Sequence, residues 1–160
     1  MKQKLEIARA VGLRAPALSA VENEILTAFG IESREDPDLL PMLATLEKLL
    51  ATSLPLLAVA EVSGFEPGEL RERLEEGRLL GLWLDGHWRV LGFQLTVTGL
   101  LPGLDTVLSK FRRDLAPVDV YAFFVTPQPR LLRSGRMSDP VEWLVSGGDP
   151  EFVAELASHL

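Results

Sequence analysis

The chain has 160 residues, 47% of them apolar, with 16 lysines and arginines against 23 aspartates and glutamates, a net charge of −7 and no cysteine. That length supports one substantial core or two small ones. The negative balance, shared by residues 1–50, 55–91 and 92–160 alike, argues against a basic nucleic-acid domain, and the lack of cysteine excludes disulfides, thiolate metal sites and a cysteine nucleophile.

No apolar run reaches the roughly 18 residues that a membrane span requires, and the N-terminus lacks a continuous signal-peptide core. A soluble, cytoplasmic protein is therefore expected. Residues 1–53 read as a helical region. In "ALSAVENEILTAFG" Leu18, Val21, Ile25, Leu26 and Phe29 recur at spacings of three and four, and Gly30 offers a stop. In "DPDLLPMLATLEKLLATS" Asp36 and Asp38 favour a helix start, and Leu43, Leu46, Leu49 and Leu50 form an apolar stripe. Such a helical pair packs on the rest of the chain or on a second copy of itself, so a homodimer is among the expected assemblies.

Residues 54–91 form a different unit. "LLAVAEVSGFEPGELRERLEEG" gives a short helix, a turn at Gly64 to Pro67, and a second helix stopped by Gly77. "RLLGLWLDGHWRVLGFQL" then alternates apolar and polar residues around Asp85-Gly86, the pair suited to a two-residue type I′ turn. A two-stranded wing is the economical reading. The unit resembles the winged helix-turn-helix of excisionase-like and MerR-like proteins, whose helices are likewise followed by "EGRL" and a hairpin close to "DGHWRV".

With Leu70 and Leu74 packed inward, the second helix turns Gly68, Glu69, Glu72, Glu75 and Glu76 outward. Arg71 and Arg73 lie on its flanks, and Arg78, His87 and Arg89 follow in the turn and wing. These five are the candidate DNA contacts. A ridge of carboxylates between two rows of phosphates is repelled, so DNA is disfavoured and the scaffold is expected to face protein.

Residues 92–160 are punctuated by proline near the first turn of each expected helix: "LLPGLDTVLSKF", "APVDVYAFFVT", "SDPVEWLV" and "GDPEFVAELASHL". Asp139 and Asp149 are placed to cap the last two. The fold expected is mainly α with one small β-hairpin, made of a helical N-terminal region, a degenerate winged helix-turn-helix and a C-terminal helical domain.

The spacing of that last stretch resembles the toxin-binding domain of Xre/MbcA/ParS-type antitoxins, the partners of RES-domain toxins. The match runs through Thr126, Pro127, Gln128 and Leu131, then Pro140, Leu144 and Gly147, then Phe152, Val153 and Leu156, with Pro102-Gly103-Leu104 upstream. Leu132 and Arg133 depart from it, where the family carries glycine, as do Leu91 and Gly92, where a proline is common. The resemblance implies an antitoxin-like regulator that neutralises an NAD-consuming toxin and has no cofactor of its own. It nominates Arg130, Leu131, Arg133, Trp143, Phe152, His159 and Leu160 as the partner-binding set. The plainer reading of Trp143, Phe152, Phe123 and Phe124 is core.

An enzyme is not expected. His87 and His159 have no carboxylate or histidine cluster around them, so no metal site or catalytic residue is assigned. "SGGDP" lacks the lysine and preceding strand of a phosphate loop and reads as a helix stop followed by a start. The competing readings are a DNA-binding transcription regulator of the helix-turn-helix class and, more remotely, an unidentified enzyme.

Overall fold

The computed structural model describes residues 39–160. The helix expected from Leu18 to Phe29, its Gly30 stop and the Asp36 and Asp38 starts lie outside the described residues. Helix α1 (Leu39–Thr52) buries Leu46, Leu49 and Leu50, three of the four residues of the expected stripe, and the side chain of the fourth, Leu43, lies outside the described residues. Its last carbonyls are taken by hydroxyls: Thr52 Oγ1 donates to Lys48 O at 2.9 Å and Ser53 Oγ to Leu50 O at 2.8 Å.

The helix-turn-helix follows as read. Helix α2 (Leu56–Ser63) ends at Gly64, whose left-handed backbone lets its N–H reach Ala60 O at 2.9 Å. Helix α3 (Pro67–Glu75) starts on proline and buries Leu70 and Leu74. Strands β2 (Gly81–Leu84) and β3 (His87–Val90) form the wing, with Trp83 opposite Trp88 and Leu84 opposite His87. Asp85 and Gly86 hold φ of 51° and 75°, the double positive value of a type I′ turn.

The expectation of a single hairpin is corrected in two ways. A strand β1 (Leu54–Pro55) pairs with the other side of β3, making a three-stranded antiparallel sheet in the order β1-β3-β2. Proline is tolerated in β1 because that strand is an edge. Two further hairpins are present: β4 (Leu95–Thr96) with β5 (Gly99–Leu100), and β6 (Leu132–Arg133) with β7 (Arg136–Met137). Strands of two residues are too short to show alternation, and only their turns carry a signal. At Ser134-Gly135 φ is 52° and 77°, the same geometry as Asp85-Gly86.

The class remains mainly helical, with seven α-helices among the described residues. The C-terminal four are α4 (Leu104–Leu108), α5 (Pro117–Val125), α6 (Pro140–Val145) and α7 (Pro150–Ala157). Proline opens α5, α6 and α7, whereas Pro102 stands ahead of α4, outside its first turn. Asp139 accepts from Glu142 N at 2.7 Å and Asp149 from Glu151 N at 2.9 Å, as capping predicts.

One apolar cluster runs from Val59, Leu70, Leu74 and Val90 into Val107, Phe124, Leu131, Leu144 and Val153, so packing is continuous across residues 91 and 92. Phe93 and Phe111 extend it as an aromatic group, with ring centroids 5.1 Å from Phe124 and 5.3 Å from Phe123 respectively.

At the junction sits one fully buried polar side chain. Gln94 closes a 3₁₀ turn (Gly92–Gln94) and is 0% exposed. Its Oε1 accepts from Leu80 N at 2.7 Å, and its Nε2 donates to Leu80 O at 2.7 Å and to Leu91 O at 3.0 Å. Its own carbonyl accepts from Leu101 N at 2.7 Å. Replacing Gln94 by methionine, of similar volume, strips Leu80 N of its acceptor. We expect destabilisation of about 2–4 kcal/mol, read as a lower urea midpoint with unchanged slope.

Candidate partner-binding face

The helix that would read DNA has its flank tied down. Arg73 donates to both carboxylate oxygens of Asp105 on α4 at 2.9 Å, and its guanidinium lies 4.5 Å from the centre of the Phe65 ring. Only 15% of its side chain is exposed. Arg78 donates from Nε to Glu76 at 2.6 Å and lies 4.0 Å from Asp105. It holds its proton more tightly than an ordinary guanidinium, chiefly because Glu76 accepts that hydrogen bond and secondarily because Glu76, Asp105 and Glu72 are negative.

Arg89 donates to Ser53 Oγ at 2.9 Å and to Ser53 O at 2.7 Å, fastening the wing to the end of α1. Of the five candidate DNA contacts, only Arg71 and His87 stay exposed without an acidic partner among the described residues, His87 with Nδ1 2.8 Å from Asp85 O. The outward Glu69, Glu72, Glu75 and Glu76 are all exposed.

The C-terminal candidates come together differently. Arg130, in the loop after α5, lies over the ring of Phe152 at 5.1 Å and donates to Glu155 at 3.1 Å. Phe152 in turn abuts Trp143, centroid to centroid 6.0 Å, and the Trp143 indole N–H donates to Asp149 O at 3.2 Å. Gly148 passes so close to that indole that a Cβ there would collide with it. A cation, a phenyl ring and an indole from three separate stretches thus form one layer, with the two rings half-buried. Trp143 and Phe152 serve as packing and as surface at once, between the two readings the sequence allows.

Arg133 reaches Ser146 Oγ at the end of α6, and Arg136 pairs with Glu142 on the same helix. Leu131 corrects the sequence-based set: it is 0% exposed and offers a partner no surface. It anchors the loop from beneath, its N–H bonded to Gln128 O at 3.0 Å and its carbonyl to Ser138 N at 2.8 Å. His159 and Leu160 are exposed and continue the turn of α7 through bonds to Leu156 O and Ala157 O.

Sequence reasoning passed over Leu132, Met137 and Val145, which are 58%, 50% and 56% exposed. The signal available was the Ser134-Gly135 dipeptide, a turn marker that places Leu132 opposite Met137. The face offers large apolar contacts and directional donors, the chemistry of recognition between proteins.

For DNA the charge distribution predicts weak, salt-sensitive binding to a short duplex, measured by fluorescence anisotropy. The triple substitution Glu69→Lys, Glu72→Lys and Glu76→Lys should strengthen it severalfold at low salt, with a steeper salt dependence. Nanomolar binding by the unchanged chain would overturn this reading of the ridge. No family model, curated protein or solved structure matches the chain, so the resemblance to antitoxins rests on its own residues.

Proposed function

We propose that the chain is an antitoxin-like regulatory protein that binds and neutralises a partner toxin through its C-terminal helices. The observation that carries this is the Arg130–Phe152–Trp143 layer. Arginine and tryptophan dominate interface energies because each combines wide contact area with directed hydrogen bonding. Here they are preassembled on an exposed face, beside open apolar side chains.

The spacing that resembles toxin-binding domains supplies the class of partner, a RES-type, NAD-consuming toxin. In this reading the protein needs no cofactor, and the winged helix-turn-helix is a scaffold whose cations serve as internal struts. The DNA-regulator reading gains nothing from Arg73, Arg78 and Arg89, which are held by Asp105, Glu76 and Ser53.

Cutting the chain at Val145 is a poor test, because it removes Val153, Ala154 and Ala157 from the shared core. That truncated chain should lose its cooperative thermal transition altogether. Point substitution on the surface separates binding from folding. The chain would be coexpressed with the product of the adjacent reading frame and capture measured for the unchanged protein, Arg130→Lys and Arg130→Glu. Glutamate at 130 meets Glu155 and loses the stacking on Phe152. We expect its capture to fall at least about 30-fold, equivalent to about 2 kcal/mol, with the melting temperature nearly unchanged. Lysine should lose less, since it keeps the charge but not the planar fork. Equal capture by all three would remove the layer from the binding site.

A further inference from the structure

Two cations of the helix-turn-helix face a single carboxylate from the C-terminal half of the chain. Asp105 stands in the first turn of α4, with Oδ1 and Oδ2 each 2.9 Å from Nη1 of Arg73 on α3 and Oδ2 4.0 Å from Nη1 of Arg78, just before the wing. Glu76 also takes Arg78, so both guanidiniums carry counter-charge. The Asp105 side chain is 44% exposed, whereas that of Arg73 is 15% exposed and lies over the Phe65 ring.

A guanidinium grips the oxygens of a carboxylate and those of a phosphate with the same donors. In a helix-turn-helix bound to DNA, side-chain contacts to phosphates fix the register of the protein on the duplex. Asp105 supplies from within the acceptors that a backbone phosphate would supply from outside. The exposed Glu69, Glu72, Glu75 and Glu76 repel phosphate from the helix surface. Asp105 acts differently, by direct contact with the cations. Leu104, Val107 and Leu108 of the same short helix are buried in the shared core, so the packing of the C-terminal half sets where this carboxylate sits.

We propose that Asp105 is an autoinhibitory contact, an internal anion that holds Arg73 and faces Arg78, so that the phosphates of a nucleic-acid duplex meet a reading helix already neutralised by the C-terminal half of the chain. Duplex binding by this scaffold is suppressed by that contact as well as by the acidic ridge. The device is independent of the identity of the protein partner and of the surface that takes it.

The probe is a mixed-sequence DNA duplex of about 20 base pairs, with binding to the full-length chain followed by fluorescence anisotropy from about 50 to about 200 mM salt. Asp105→Asn keeps the shape of the side chain and removes its charge. Its affinity at the low-salt end should rise at least about fivefold, and the double-logarithmic salt slope should steepen by about one, the mark of one more phosphate contact. Asp105→Ser, neutral and suited to a helix start, should do the same, and it stands in for asparagine if melting curves show that asparagine unsettles the fold. Asp119→Asn makes the same change in net charge at an exposed position on α5 and should bind within about twofold of the unchanged chain. Adding Arg73→Gln to Asp105→Asn should cancel most of the gain. A folded Asp105→Asn or Asp105→Ser chain that binds the duplex no better than the unchanged chain overturns the proposal. A gain that survives Arg73→Gln, or that Asp119→Asn reproduces, overturns it as well, because net charge or a loosened fold is then the cause.

Discussion

The buried amide of Gln94 is the contact on which the arrangement of this protein turns. Its side chain copies a strand backbone, presenting one acceptor and one donor to Leu80 as a neighbouring strand would. Leu80 leads into the wing, and the Gln94 carbonyl receives Leu101 at the end of the β4–β5 hairpin. One residue therefore fixes the wing against the chain that enters the C-terminal helices. An apolar residue of the same size would fill the space but specify no register. A buried amide with both its donors used and its oxygen accepting favours a single arrangement, because a slip leaves polar groups unpaired in the core.

The cost of that rigidity appears in the helix-turn-helix. Arg73 on α3 reaches Asp105 on α4, its Nη1 donating to both carboxylate oxygens. Arg73 Nε is buried with no acceptor among the described residues, and the guanidinium lies over the ring of Phe65. A guanidinium committed this way is unavailable to a phosphate without breaking a strut between two parts of the core. Through Arg73, α3 is tied to α4, and its outward ridge is acidic.

Local chemistry was legible in the sequence, and long-range pairing was not. The Asp85-Gly86 turn, the Asp139 and Asp149 caps, the inward Leu70 and Leu74 and the proline starts all involve residues within a few positions of each other. Each appears where its neighbours dictate. Arg73 and Asp105 are 32 residues apart, and nothing in "ELRERL" distinguishes an arginine with a distant partner from one beside a glutamate. Strand β1 escaped for a related reason, since Leu54-Pro55 becomes a strand only because β3 offers an open edge. Leu131 was read as a contact because the antitoxin-like spacing passes through it. That spacing marks a turn, and Leu131 is sunk beneath it.

The same stretch shows how a departure from a pattern becomes a structure. The residues that break the antitoxin-like spacing, Leu132 and Arg133, are the two that form β6. Arginine 133 directly opposite Arg136 sets two like charges side by side, an arrangement that opens a free hairpin. Here Glu142 and the Ser146 hydroxyl, four residues apart on the edge of α6, divide the two guanidiniums between them. These contacts tie the hairpin to that helix, beside the backbone bond from Gln128 N to Ser138 O at its base. With the arginines drawn inward to α6, the alternation of the strand leaves Leu132 and Met137 no direction but outward. Their exposure is a consequence of how the hairpin is held.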